Sequence, residues 1–422
     1  MMTDDTELLI VGAGVTGLAA AAAAQGRDLM VVEADREMGG YCKTVRREGF
    51  VWDYSGHFFH FTRPEIEQWL RERMRGQIIR SIEKKAFVAY RDRWIDFPLQ
   101  KNIHQLPQAE FIDCLHDLYL AARTPQEQVP GNFKQMLYGR LGRSICEKFL
   151  VPYNEKLYAC DLSELDPEAM GRFFPSADLD AVIRNMKVPD NGGYNATFTY
   201  PEGGAIEYVK ALASGLDPER IALGERVERI DLAARVAHTA RRQIRYRHLI
   251  STMPINRLAE ACGLPHRRQA FSWNKVLVFN LGFDRKGPKD VHWLYVPDPA
   301  LSYYRVGFYD NIFDGDRMSL YVEVGFPSGA PVSIPEVRTR VLADLRTQGL
   351  IRDHRLVAEH AVLLDPAYVH ITRDSLAEAR RLAGVLCEHD AHSVGRYGAW
   401  TYCSIEDNIV QARETVAAFS AA

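Results

Sequence analysis

The chain has 422 residues, 47% of them hydrophobic and 25% charged, which excludes a disordered or fibrous protein and is too long for one ordinary core. Lysine and arginine total 52 against 55 aspartates and glutamates, a formal charge of −3. That balance gives no electrostatic case for nucleic acid or a polyanionic surface as partner, but leaves room for a small anion held by a few arginines in a cleft.

In chain order, the opening reads strand over 7–11, alanine-rich helix over 14–25 and strand over 28–33. From 63 to about 184 the texture is helical, with apolar residues at helical spacing over 109–122 and 133–149 and strand-like interruptions at 85–90 and 94–97. A helix over 205–213 follows a Pro-Glu-Gly-Gly turn, and 225–252 alternates strands and turns (227–232, 235–239, 243–246, 249–252). Segments 272–283, 292–296, 302–308 and 319–325 predict an antiparallel sheet, followed by helices over 335–345 and 405–418. There is no internal repeat or long linker. The expectation is an α/β protein of interleaved parts: a dinucleotide-binding fold from 1–62, 193–262 and 379–422, a mainly helical insertion at 63–192 and an antiparallel-sheet domain at 263–378.

The apolar stretch from Leu8 to Ala24 follows Asp4, Asp5 and Glu7, not a basic segment, and glycines interrupt it, so it predicts neither a signal peptide nor a membrane span. Seven scattered cysteines without a C-x-x-C pair point to reduced thiols in a cytoplasmic protein, with no metal or disulfide framework. Two arginine-rich runs, Arg71 to Arg80 and Arg241 to Arg247, read as solvated faces with acidic neighbours.

Gly12, Gly14 and Gly17 form a G-x-G-x-x-G loop between strand and helix. The first allows the tight turn, the second lets backbone amides approach a pyrophosphate, and the third lets helix and strand pack closely. Glu33 ends the next strand, where an acid can accept from ribose hydroxyls, and Arg36, Gly39 and Gly40 extend the motif. NAD and FAD proteins share the loop, and the added Arg and Gly-Gly resemble the Rossmann-like FAD-binding variant.

Residues 39–43 and then 49–60, ending Gly56-His57-Phe58-Phe59-His60, resemble the flavin superfamily of amine oxidases, protoporphyrinogen oxidases and UDP-galactopyranose mutases. The Gly-His ending, residues 152–158, the segment from Gly193 to Phe198 with Pro201 to Gly204, and residues 395–400 are similar to the mutase branch, in matching order along nearly the whole chain. The Asn-Ala-Thr-Phe segment and the sheet region look nearer eukaryotic-like or divergent bacterial mutases. The resemblance implies a cytoplasmic enzyme of cell-surface polysaccharide biosynthesis that interconverts pyranose and furanose forms of a nucleotide sugar, most of all UDP-galactopyranose. Its FAD, reduced by NADH or NADPH, would act through an N5–sugar adduct with no net redox change. The partner would be the nucleotide-diphosphate sugar, with no nucleic acid and no membrane; family members often form homo-oligomers.

The resemblance assigns His57 to the flavin-facing loop and Arg172 and Arg305 to the departing diphosphate, as forks that do not titrate. It assigns Tyr153, Tyr158, Asn195, Trp293, Tyr295, Tyr368 and Tyr402 to base and sugar, and adds Val227, Arg396 and Asp407 to the cofactor set. Two rivals stand beside this reading. One is an amine oxidase or protoporphyrinogen oxidase-like enzyme, favoured by Lys275 on a strand where several amine oxidases hold a water near the flavin. Against that, an alternating strand would turn Lys275 outward as an ordinary strand residue. The second rival is a non-catalytic flavin-binding scaffold.

Overall fold

The computed structural model describes residues 2–124, 129–175, 177–192 and 196–419. Leu8, Leu9, Ile10 and Val11 end the first strand, Met2–Val11, and all are buried, as a central strand covered on both faces requires. It pairs in parallel with Leu29–Val32 and with Arg242–Ser251. The sheet continues through antiparallel Val236–Thr239 to Val227–Asp231 on one side and through parallel Ile221–Ala222 on the other, and Ala391–Ser393 adds in parallel beside Leu249 to Ser251. Arg242 ties this sheet together, with Asp4 at 2.7 Å and Glu225 at 2.8 Å.

Helices Val15–Ala23, Ile206–Ala213 and Ile405–Ala418 share one core with Leu8, Ile10, Leu29, Val31 and Ile250. Gly17 permits the close crossing of the first helix over its strand: a Cβ there would lie 1.9 Å from the Gly12 carbonyl oxygen. The last helix begins where Ser404 and Asp407 cap each other in a reciprocal box.

The second sheet runs Leu356–Leu364, Asn274–Phe283, Ser319–Pro327, Arg305–Phe308, Trp293–Tyr295, Ala86–Tyr90, Arg93–Asp96. The four strands expected over 272–325 pair antiparallel with one another, and the single parallel joint, between Trp293–Tyr295 and Ala86–Tyr90, adds a hairpin from the helical stretch. The strand-like interruptions of the helical stretch are thus the edge of this sheet. A ribbon of Ile79–Glu83 with Thr197–Pro201 leads into it. Among the elements that went unforeseen are the strand Ile79–Glu83, the edge strand Leu356–Leu364 and the helix Arg373–Cys387.

The helix expected over 133–149 is three segments: Phe133–Ile145, a π-helical turn Cys146–Leu150, and Val151–Tyr158. Such a turn re-aims the residues after it, and here it precedes Tyr153 and Asn154. Among the described residues no helix is long and apolar enough to cross a membrane.

Candidate active site

At the carboxyl ends of the parallel strands, where α/β sheets place ligands, a groove of about 330 Å³ opens along the glycine loop. Gly12, Gly14, Glu33, Gly39, Gly40, Val227 and Arg396 line it, together with Thr16, Thr252, Gly395 and Asn408. Gly14 and Gly40 face each other, and a Cβ on Gly40 would lie 3.4 Å from the Gly14 Cα, so side chains here would fill the groove. The Glu33 carboxylate accepts from the backbone N–H groups of Ala13 (2.7 Å) and Asp35 (2.8 Å), which fixes it beside the loop. Gly17 lies behind the groove as a packing residue. Arg36 is exposed and does not line it, a correction to its assignment: its side chain passes near Gly224 at the surface.

The groove runs into a larger cavity of about 480 Å³, and His57, Arg396, Cys403 and Ile405 line both. Tyr153, Arg172, Tyr295, Arg305, Tyr368 and Tyr402 join them there, so most of the expected site converges from five separate stretches of chain. Tyr368 and Tyr402 stack at 6.1 Å with the Arg396 guanidinium 4.7 Å from the Tyr402 ring centre, and Phe97 stacks on Tyr295 at 4.5 Å. Arg305 gives Nε and Nη2 hydrogen bonds of 2.6 and 2.9 Å to Glu323. Arg172 is 2.5 Å from Asp407.

Four expected residues stand otherwise. Tyr158 is buried behind Tyr368, its ring edge-on to it at 5.9 Å. Trp293 is buried against Phe58 and donates to the Tyr321 hydroxyl, whereas Tyr295, on the same face of the strand two residues on, lines the cavity. Asp407 lines neither cavity: it caps its own helix and pairs with Arg172, placing it beside the expected diphosphate residue instead of in the cofactor groove. Asn195 falls outside the described residues.

The sequence reading missed Lys84, Lys101, Phe97 and Asn154 in the cavity wall and Glu323 behind it, and His60, at the end of the Gly-His segment, also lines the cavity. Asn154 could have been found from its place beside Tyr153 on the helix. A lysine between two short strands gives no comparable signal.

Electrostatics follow from enclosure. Burial, reinforced by Arg396, holds His57 down at about 4, so its ring is neutral at pH 7, and its buried Nδ1 has no partner among the described residues. Burial lowers His60 to about 4 as well. Burial opposes the Arg305 charge, but the Glu323 carboxylate together with the surrounding tyrosines Tyr368, Tyr321 and Tyr153 outweighs it and keeps the guanidinium ionised. Burial raises the Tyr295 and Tyr368 phenols to about 12, so both remain hydrogen-bond donors. Among the described lining residues are five cations, Lys84, Lys101, Arg172, Arg305 and Arg396, and no carboxylate.

The groove fits a flavin dinucleotide: the facing glycines leave a cradle that any side chain would fill, and the orphaned His57 Nδ1 stands at its inner end. Gly12, Gly14, Gly39, Gly40 and Glu33 would hold its pyrophosphate and ribose. In overall structure the chain is similar to a reduced UDP-galactopyranose mutase (TM-score 0.92, 23% identity, covering 99% of this chain and 96% of that one). It is also similar to the cyclohexylamine oxidase of Brevibacterium oxydans (TM-score 0.71, 16% identity, 99% of each chain). The curated relatives it matches are covered over about a tenth of their length. One is the zeta-carotene-forming phytoene desaturase of Myxococcus xanthus, 47% identical over 53 residues, 12% of this chain and 10% of the relative. The family model for flavin containing amine oxidoreductases matches residues 15–366, most of the length, and the chain belongs to that family.

Proposed function

We propose that this flavoprotein is a nucleotide-sugar mutase, interconverting the pyranose and furanose forms of a nucleoside-diphosphate sugar, with UDP-galactopyranose as the first substrate to test. The observation that carries this reading is the cavity wall next to the dinucleotide groove, with five cations and no carboxylate among its described residues. A diphosphate that departs and returns needs fixed positive charge throughout, and arginine forks supply it without titrating. Arg172 and Arg305 would bind the diphosphate oxygens. The stacked pairs Phe97–Tyr295 and Tyr368–Tyr402 would hold the base and sugar while excluding water. His57, neutral at pH 7, would accept or donate a hydrogen bond at the cofactor without adding charge. A reduced flavin in the groove would supply the nucleophilic centre at the inner end of the cavity, and NADH or NADPH would supply the electrons that keep it reduced.

An amine substrate fits this wall poorly, since the described lining offers its charge no carboxylate partner. Lys275 gives the oxidase reading no support: its Nζ donates to the Ala330 carbonyl at 3.3 Å, lies 3.9 Å from Asp365, and lines neither cavity. The test is incubation with UDP-galactopyranose, with and without dithionite, following ring form by chromatography or NMR. Furanose formed only with reduced flavin is the expected result. No conversion across a panel of nucleotide sugars, with flavin bound and reducible, would overturn the reading in favour of oxidation, and bound flavin with neither ring interconversion nor amine oxidation would favour the scaffold.

A further inference from the structure

Three asparagine carboxamides run in one direction behind the cavity rim. The Asp190 backbone N–H donates to the Asn185 Oδ1 at 2.5 Å, so the Asn185 Nδ2 is the donor to the Lys101 carbonyl at 2.9 Å and to the Asn102 Oδ1 at 3.0 Å. The Asn102 Nδ2 in turn donates to the Pro98 carbonyl at 3.1 Å and to the Asn191 Oδ1 at 2.7 Å. Backbone groups cannot exchange donor for acceptor, so the sense of each amide is fixed, and Asn185 and Asn102 are both buried. Asn191, the last in this series, lines the cavity with its oxygen already taken; what it offers a ligand is its NH2 group. Lys101, tied to the same segment by a 3.0 Å bond from Nζ to the Asp190 carbonyl, lines the same wall and has no carboxylate partner among the described residues. An ammonium carries donors only. This stretch of wall therefore offers a ligand side-chain donors and no side-chain acceptor.

We propose that Lys101 and Asn191 read the nucleobase, selecting a ligand whose base shows a carbonyl oxygen at its outer edge, as uracil does, over one that shows an amino group there, as cytosine does. This rests on the reading of the cavity as a nucleoside-diphosphate site. The sugar end of such a ligand belongs where the cavity meets the dinucleotide groove, beside Arg396 and the rings of Tyr368 and Tyr402. The base then falls to the other stacked pair, Phe97 and Tyr295. Phe97 leads directly into Pro98 and the turn Leu99–Lys101, so the donor-only wall continues from the ring on which the base would lie. A carbonyl oxygen there accepts from both side chains. An amino group sets donor against donor and leaves the ammonium and the carboxamide unpaired at the contact. Selection comes from that mismatch, because the two pyrimidines are alike in size and shape.

The test is calorimetric titration of the purified holoprotein at neutral pH with UDP, CDP and inorganic pyrophosphate, read as the ratio of UDP to CDP affinity, from which any general effect of charge on the diphosphate cancels. Wild type should favour UDP by about tenfold or more. Lys101→Met and Asn191→Ala should each lower the ratio, and together bring it within about twofold of one. Asn191→Asp keeps an oxygen for Asn102 and turns an acceptor to the ligand, so its ratio should fall below that of Asn191→Ala. A wild-type ratio of one overturns the proposal, as does a ratio that survives unchanged in both the double variant and Asn191→Asp. Failure of wild type to bind any of the three probes overturns it together with the diphosphate reading. Discrimination carried by Lys101 and Asn191 without conversion of UDP-galactopyranose would leave the base reader standing and remove the mutase; conversion with a ratio of one would do the reverse.

Discussion

Glu323 holds Arg305 by two near-parallel hydrogen bonds of 2.6 and 2.9 Å and, through its Oε1, also accepts from the Ser55 hydroxyl. Ser55 lies two residues before His57, so one buried carboxylate fixes both the sheet arginine and the loop at the dinucleotide groove. Glu323→Gln keeps the shape but leaves Arg305 without its counter-charge. We expect a stability loss of roughly 3 kcal/mol, read as a lower urea midpoint at unchanged m-value. An unchanged midpoint would mean that the pair contributes nothing to folding.

The two diphosphate arginines differ in setting: the Arg172 side chain is 47% exposed and that of Arg305 19%. UDP binding should weaken about tenfold or more in both Arg172→Ala and Arg305→Ala, since each loses a charge-assisted bond. Raising the salt from 50 to 500 mM should shrink the Arg172 effect more than the Arg305 effect, because exposed charges are screened and enclosed ones are not. Equal salt dependence would refute the distinction.

Gly14→Val should lose bound flavin, with the flavin-to-chain ratio after purification at least about tenfold below wild type. The Gly14 Cβ itself would meet the Gly40 Cα only at 3.9 Å, so the fold should survive while the added methyl groups occupy the groove. A circular dichroism spectrum like that of wild type separates the two effects. Full flavin content would show that the groove is not where the cofactor lies.

His292 gives the fold an acid-sensitive point outside the cavity lining. The Lys85 backbone N–H donates to its Nδ1 at 3.0 Å, and burial followed by Lys85 lowers its pKa to about 4. Its folded-state value lies below the unfolded 6.5, so this stability is complete above pH 6.5 and is lost progressively as pH falls to about 4. The loss attributable to this one residue is on the order of 1–3 kcal/mol. In His292→Asn the fall in melting temperature between pH 6.5 and 4.5 should be visibly shallower than in wild type.

Lys275→Met should leave the rate of ring interconversion within about twofold of wild type, as expected for a surface-directed strand residue. Its amine contacts Ala330 and Asp365, not the cavity. A collapse of turnover with folding and flavin content intact would reopen the oxidase reading.

The sequence by itself determined the dinucleotide groove, because its signals are local: a continuous apolar strand, glycines at fixed offsets and an acid ending the next strand lie within about forty residues. It also marked the last helix, Ile405–Ala418, whose start is written in the Ser404–Asp407 box. It missed Leu356–Leu364 because an edge strand mixing Ala, Glu and Leu with Val carries no clean period, and pairing with Asn274–Phe283 decides its state. The tertiary structure alone decided which aromatic of one strand face lines the cavity and which is packed into the core. Tyr295 and Trp293 are two residues apart on one strand, and neighbours from distant parts of the chain, Phe97 and Phe58, select between them. The charge of the site was equally hidden. Lys84, Arg305 and Glu323 are ordinary residues until folding brings them together away from water, where each sets the protonation or orientation of the next.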